Sequence, residues 1–320
     1  MSTTRTESRP TSVRPTSVRS GRAPLLSGRS GAILLMLAAA VISPLVDATA
    51  KAFALSFSAV FLTWVRFYTQ TMVLTVAILV AQGRQGLPSR RPGIHLLRGV
   101  LFALGSGLFF LSLGFLGLAE AMALFFVQPI FVQILARVFL RERVGWRRWL
   151  GTLIGFVGAL FVIGPAGDGF SAASLLPIGG ALANAGYSVV TRAARDTDGV
   201  LTMQLWCSLS ACALGGLALL AMASADIVVL TRVPTLLDWL GFAALGALTA
   251  LNHVCMTAAL QRAEASLLSP IRYVEVLVAV LIGSVWFGEV LDGPTSLGVA
   301  LIVLGGLIGL ERSGAQKGGA

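Results

Sequence analysis

Two ionisable residues stand three positions apart in an apolar stretch near the C-terminus, Arg272 and Glu275, just after Pro270. A carboxylate removed from water holds a proton more readily, and Glu275 is therefore the best candidate for a group that exchanges protons. The alternative is that the two side chains, one helical turn apart, neutralise each other and have only a structural role.

A second charged group occurs near the N-terminus, where Asp47 and Lys51 are four residues apart and Arg66 follows in the next apolar stretch. Charges inside a membrane cost a few kcal/mol each, so each needs a partner or a wet cavity. We expect either an Asp47–Arg66 brace between neighbouring helices or an outer gate that binds an anionic part of a solute. In the first interpretation Lys51 extends toward the membrane surface.

Uncharged polar residues mark a candidate cavity wall. Asn184 and Tyr187 begin a polar stripe that continues at Ser188 and Thr191 with helical spacing. Such a stripe either joins helices or faces a cavity. Together with Gln128 near Pro129, Tyr273 and Glu275, Asn184 and Tyr187 form the predicted solute-binding set.

One histidine, His253, lies in another apolar stretch and is either a hydrogen-bonded strut or a proton relay. A remote alternative is an intramembrane hydrolase in which Ser106 and His253 form a nucleophile and base pair. Ala103 stands where a Gly-x-Ser-Gly motif would need glycine, which argues against that chemistry. We expect the chain not to be an enzyme.

These residues belong to a membrane protein. Mean hydropathy is +0.85, 56% of residues are hydrophobic and 12% are charged, too few to cover a soluble protein. Long apolar runs without alternation predict helices. Ten transmembrane segments are predicted: 31–52, 58–82, 97–116, 119–140, 147–165, 174–193, 200–222, 236–260, 264–287 and 294–311.

The chain contains an internal duplication. Phe139–Val162 and Trp286–Gly309 are near-duplicates about 147 residues apart. Two consecutive units of five spans each must face opposite ways across the bilayer, which is typical of transporters. We therefore predict an all-α integral membrane fold of two inverted five-helix repeats, residues 31–165 and 174–311.

Arginines set the predicted orientation, because basic residues accumulate in cytoplasmic loops. Arg84, Arg90, Arg91 and Arg98 fall on the inner side, and the outer side has little beyond Lys51 and Arg232. Both termini are then cytoplasmic. Residues 1–30 and 312–320 are predicted to be polar tails, the first of them basic and disordered. The net charge of +10 is spread over short loops, so we expect no nucleic-acid partner.

Four stretches give a resemblance to a known family: Asp47–Gln70, Leu118–Val132, Arg141–Pro165 and Ser269–Val290. They resemble the EamA-type drug/metabolite transporters over about residues 31–311. The resemblance implies a ten-helix bundle around a central cavity and alternating-access transport of small organic solutes across the inner or plasma membrane. The solutes of that family are diverse, and the resemblance selects none.

The remaining expectations concern partners and energy coupling. No phosphate-binding loop for ATP is present, so we expect a secondary transporter, proton-coupled or an uncoupled facilitator, with no cofactor or metal. Small-residue motifs at Gly151/Gly155 and Gly305/Gly309 pack helices and are also compatible with a homodimer. The expected partners are a small-molecule substrate and the lipid bilayer.

Overall fold

The protein is described here by a computed structural model, which covers residues 28–53, 56–112, 114–116, 118–163, 171–224, 232–287 and 293–310. Within these ranges the chain is built of α-helices and short 3-10 turns. The first repeat contains α1 (Gly28–Phe53), α2 (Ala59–Gln82), α3 (Pro92–Ser112), α4 (Leu118–Phe125), α5 (Gln128–Phe139) and α6 (Trp146–Ile163). The second repeat contains α7 (Leu175–Ala193), α8 (Val200–Ser224), α9 (Leu236–Arg262), α10 (Ala265–Leu268), α11 (Val274–Phe287) and α12 (Gly293–Leu310).

The predicted all-α membrane fold is confirmed. Eight segments within the described residues are long and apolar enough to cross a bilayer. The other two, α6 and α12, have 18 residues each and pack against each other. All ten predicted segments are thus helical, whereas ten crossings stay a prediction.

Polar residues at the helix ends explain several boundaries. Ser58 accepts a hydrogen bond from the backbone N–H of Phe61 and caps α2. Thr235 and Asp238 form a reciprocal capping box that starts α9. The third helix begins at Pro92, five residues before its predicted start at 97, and ends at Ser112 instead of residue 116. Proline is favoured in the first turn of a helix, which accounts for the earlier start.

Equivalent helices of the two repeats pack antiparallel. A Cβ atom added at Gly151 would lie 2.5 Å from the carbonyl oxygen of Gly305, and one at Gly158 would lie 2.7 Å from that of Gly298. Later residues of α6 therefore contact earlier residues of α12. In the same way the hydroxyl of Thr71 on α2 donates to that of Ser208 on α8, at 3.1 Å. Antiparallel packing of equivalent helices is the geometry of inverted repeats.

Both repeats interrupt their fourth segment. The first has a break between α4 and α5, at Phe126 and Val127, and the second has a 3-10 segment, Ser269–Tyr273, between α10 and α11. Tyr273 donates a hydrogen bond of 3.3 Å to the carbonyl oxygen of Phe126, and the two rings are stacked 6.2 Å apart. The two residues are 147 positions apart, so this contact joins equivalent positions of the repeats. The breaks therefore meet at the pseudo-twofold axis.

Candidate functional site

The interrupted segment of the second repeat carries a buried ion pair. A terminal nitrogen of Arg272 lies 2.8 Å from one carboxylate oxygen of Glu275 and 3.1 Å from the other. The side chains are 21% and 15% exposed, so protein covers most but not all of the surface of the pair. The 3-10 geometry before Val274 places the guanidinium over the first turn of α11, where the glutamate stands.

Two charges from the first repeat join this pair. Helix α1, which carries Asp47, packs against α11 and against the 3-10 segment that contains Arg272, and Asp47 lies within electrostatic range of Arg66 of α2 and of Arg272. Glu275 interacts with Asp47 in turn. We refer to Asp47, Arg66, Arg272 and Glu275 as the charged cluster. It contains two carboxylates and two guanidinium groups, contributed by both repeats.

Arg66 has unused donors. Its Nε atom is buried and has no hydrogen-bond partner among the residues that the structure describes. The guanidinium carbon lies 5.0 Å from the centre of the Phe67 ring, within the range of a cation–π contact. A buried donor without a partner is costly, and a polar group of a bound solute would relieve that cost. The predicted brace with Asp47 is therefore a longer-range interaction that leaves the Arg66 Nε unsatisfied. The Lys51 side chain lies outside the described residues.

His253 of α9 lies beside the charged cluster. Its Nδ1 is 3.2 Å from the side-chain nitrogen of Gln70, and its ring is 4.9 Å from that of Phe102 and 6.5 Å from that of Phe67. The imidazole also interacts electrostatically with Arg66 and Arg272. The structure thus surrounds His253 with a hydrogen bond and aromatic rings, and no described hydrogen bond joins it to Ser106.

The uncharged residues of the predicted solute-binding set are all buried: Gln128 is 5% exposed, Asn184 8%, Tyr187 1% and Tyr273 1%. Tyr273 contacts the axis, as described above. Asn184 lies against α3, where a Cβ at Gly105 would be 2.7 Å from its amide nitrogen. The Tyr187 hydroxyl has no hydrogen-bond partner within the described residues. In this conformation the less deeply buried part of the predicted site is consequently the Arg272–Glu275 pair with Asp47.

Sequence reasoning missed a second polar network, centred on Arg98. The arginine pattern predicts Arg98 to be one of the cytoplasmic-side cations, yet it is fully buried in α3. It donates to the Thr191 hydroxyl at 2.8 Å, the Met203 carbonyl at 2.9 Å and the Thr257 hydroxyl at 3.3 Å. Its guanidinium carbon also lies 5.3 Å from the Tyr187 ring centre. The spacing of His95 and Arg98 on one helical face was the available signal.

The network continues to the surface through His95. The His95 Nε2 lies 2.9 Å from a carboxylate oxygen of Asp198, which also accepts hydrogen bonds from the Ser89 hydroxyl and the Arg90 N–H. Burial raises the pKa of Asp198, but these hydrogen bonds together lower it by more. The pKa therefore lies below its usual value. These hydrogen bonds connect the loop before α8, which contains Asp198, to the first turn of α3 and the residues just before it. We interpret the Arg98 network as structural because Arg98, His95 and Asp198 are all hydrogen-bonded to protein groups.

Comparison with known proteins identifies the family to which the chain is similar. The EamA-like transporter family matches residues 30–164 and 171–309. The chain is 33% identical over 239 residues to a riboflavin transporter of Vibrio cholerae, covering 74% of this chain and 78% of that protein. It is 26% identical to an S-adenosylmethionine uptake transporter of Rickettsia bellii, covering 74% and 79%. A solved crystal structure shares the fold with a TM-score of 0.73 at 22% identity, covering 88% of this chain and 96% of that one.

Proposed function

The chain belongs to the EamA-like transporter family and is a membrane transporter of small metabolites, and from this premise we propose that it takes up riboflavin by alternating access. It is not an enzyme, and the Ser106–His253 hydrolase alternative is dropped. The observation that supports a solute site is the charged cluster, in which both repeats contribute side chains to one space. Alternating access requires such a shared space, because the repeats move relative to each other around it.

The chemistry around the charged cluster suits a flat heteroaromatic solute. Phe67, Phe102 and His253 present rings beside Arg66 and Gln70. The isoalloxazine ring of riboflavin has stacking faces and an amide-like edge of donors and acceptors. Aromatic faces would hold the ring, and the Arg66 and Gln70 side chains would bind its edge. S-adenosylmethionine also carries a flat heteroaromatic ring, and identity to its transporters is lower.

The remaining predicted residues receive roles in this proposal. Gln128, Asn184, Tyr187, Tyr273 and Glu275 contact solute once the helices separate, since most of them are buried in the conformation described. Asp47, Lys51, Arg66, Arg272 and His253 act in gating or coupling. Glu275 exchanges a proton when its ion pair with Arg272 opens. An uncoupled facilitator is the alternative.

Proteoliposomes test the substrate. Purified protein should accumulate radiolabelled riboflavin in a saturable manner, and unlabelled riboflavin should compete far better than S-adenosylmethionine. Arg66→Gln should raise the concentration for half-maximal uptake by roughly tenfold or more, because a hydrogen bond from a charged donor contributes about 1.5–3 kcal/mol.

Arg84→Gln is the matched control, since Arg84 is exposed at the end of α2. Its uptake should equal that of the unmodified protein. Preferential competition by S-adenosylmethionine would reject riboflavin as the substrate. Unchanged uptake by Arg66→Gln would remove Arg66 from the solute site.

A further inference from the structure

Four arginine side chains meet in one pocket at the end of the bundle where α1 and α6 begin and where α7 and α9 end. Arg29, Arg148, Arg192 and Arg262 line it together with Glu264, around a volume of about 220 Å³. We call it the arginine pocket. Sites for drug-sized ligands occupy roughly 300–1,000 Å³, so this one suits a smaller group. It shares no residue with the charged cluster.

Protein contacts hold three of the four guanidinium groups in place. Arg148 donates to Glu264 at 2.5 Å and to the Ser266 hydroxyl at 2.9 Å. Arg192 donates to the carbonyl oxygens of Leu260 and Gln261 at the end of α9, at 3.0 and 2.9 Å. Arg262 donates to the Ala258 carbonyl at 2.6 Å. The cations are therefore ordered before any ligand arrives.

These contacts leave donors unused. Each bond just described comes from the same terminal nitrogen, Nη1, of its arginine. A guanidinium has five N–H donors in a planar fork. Among the described residues, the Nη2 atoms of Arg148, Arg192 and Arg262 have no hydrogen bond to protein. The pocket can thus offer further donors without breaking its own structure.

Charge balance also favours an anion. Besides Glu264, Glu142 lies 3.8 Å from the Nε of Arg192, and Arg192 also interacts electrostatically with Arg195 and Asp196. Glu142 is itself occupied, because it accepts bonds from the backbone N–H groups of Ala265 and Ser266 and from the Ser266 hydroxyl. Arg195 and Asp196 pair with each other at 3.0 Å and add no net charge, so the four guanidinium groups of the pocket face two carboxylates. Helix capping explains the Arg192 contacts with α9, but capping alone does not require four cations around one pocket.

We propose that the arginine pocket binds a phosphate-bearing anion. Guanidinium groups bind phosphate through paired, charge-assisted hydrogen bonds, and several converging forks give a geometry that a chloride ion would not use. With the N-terminus inside, the pocket lies at the cytoplasmic surface of the bilayer. Basic pockets between transmembrane helices at that level bind the head groups of anionic lipids. The phosphate comes from such a lipid or from a soluble phosphate ester.

Thermal unfolding in lipid nanodiscs distinguishes the two sources. The protein is placed in phosphatidylcholine discs, in discs that contain added phosphatidylglycerol, and in phosphatidylcholine discs titrated with inorganic phosphate at constant ionic strength. Stabilisation by phosphatidylglycerol identifies a lipid head group, and stabilisation by inorganic phosphate identifies a soluble anion. The expected apparent affinity of Arg262→Gln for the stabilising anion is roughly tenfold weaker, about 1.4 kcal/mol.

Arg84→Gln is again the control, because it removes an exposed arginine that does not line the pocket. Its response to each anion should match that of the unmodified protein. The proposal is overturned if neither anion stabilises the protein, or if both variants lose the response equally, which would indicate a general surface-charge effect. Arg262 has one described protein hydrogen bond, to its own helix, so its replacement should leave the fold intact.

Discussion

At the scale of single residues, the charged side chains inside the bundle are of two kinds. Some are fully buried and bonded to protein, and others keep an unpaired donor or an exposed surface. Arg98 is fully buried and bonded on several sides, so it stabilises the helices that surround it. The Nε of Arg66 is buried without a partner, and Arg272 and Glu275 keep part of their surface exposed. A transported solute or proton needs groups of the second kind, because a fully satisfied group gains little from a new contact.

Glu275 gives the prediction at this scale. Glu275→Gln should abolish uptake driven by a pH gradient in proteoliposomes and leave solute exchange largely intact, because glutamine keeps the shape and hydrogen-bonding capacity of the side chain but carries no exchangeable charge. Gradient-driven uptake and exchange of radiolabelled riboflavin are measured with the same preparation. Normal gradient-driven uptake by the variant would leave Glu275 as the structural partner of Arg272, and an uncoupled facilitator would be the better interpretation.

At the scale of elements, the contact between α6 and α12 is made of glycines. The small-residue motifs that are compatible with a homodimer pack against each other inside one chain, since Gly151 meets Gly305 and Gly309. Their glycine faces are therefore occupied, and a homodimer stays a prediction that needs another surface. Close approach of helix backbones is the usual role of small residues in membranes, where lipid gives no hydrophobic drive for helix association.

Replacement of one glycine measures this contact. A Cβ at Gly158 would lie 2.7 Å from the Gly298 carbonyl oxygen and 2.9 Å from the Ile302 nitrogen, so Gly158→Ala must push the helices apart. We expect a loss of about 1–3 kcal/mol in the free energy of unfolding. Thermal or denaturant unfolding in detergent checks it.

Gly306→Ala is the matched control on α12, because nothing lies within 4 Å of a Cβ at that position. Alanine has a higher helix propensity than glycine, and this variant should be neutral or more stable by about 0.5–1 kcal/mol. Equal destabilisation by both replacements would show that the α6–α12 contact is looser than described.

Composition and periodicity were sufficient to predict helices, repeats and family, because those properties are repeated along the whole chain. The sequence singles out the residues of the charged cluster as two separate groups, Asp47 with Arg66 and Arg272 with Glu275, since ionisable groups are rare in apolar stretches, but it does not predict that the two groups meet. The Arg98 network was missed because a residue near a predicted helix end looks like a topology signal until the helix start is known. Helix α3 begins at Pro92, five residues before the predicted start, so His95 lies inside the helix and Arg98 is more than one turn from its end, and both are buried. The partners of Arg98 lie on three other helices, α7, α8 and α9, and such long-range contacts are not visible in local patterns.

At the scale of the whole molecule, the prediction concerns the orientation of the chain in the membrane. The arginine distribution predicts cytoplasmic termini and ten crossings. Single cysteines introduced at Asp168 and Arg91, in a background without Cys207, Cys212 and Cys255, should react with impermeant reagents from outside and from the cytoplasm respectively. Asp168 lies outside the described residues, and Arg91 directly precedes α3. Labelling from the opposite sides would reject both the orientation and the proposed leaflet of the arginine pocket.

The glycine contacts between equivalent helices have a further consequence. Gly151 meets Gly305 and Gly158 meets Gly298, so each repeat presents the same patch to the other, as in a symmetric dimer. Here both halves belong to one polypeptide, and a covalent connection keeps each half at a high effective concentration for the other. Association between the halves does not depend on a large intrinsic affinity. Narrow contacts between small residues are then enough to keep the halves together, as the proposed alternating-access movement would require.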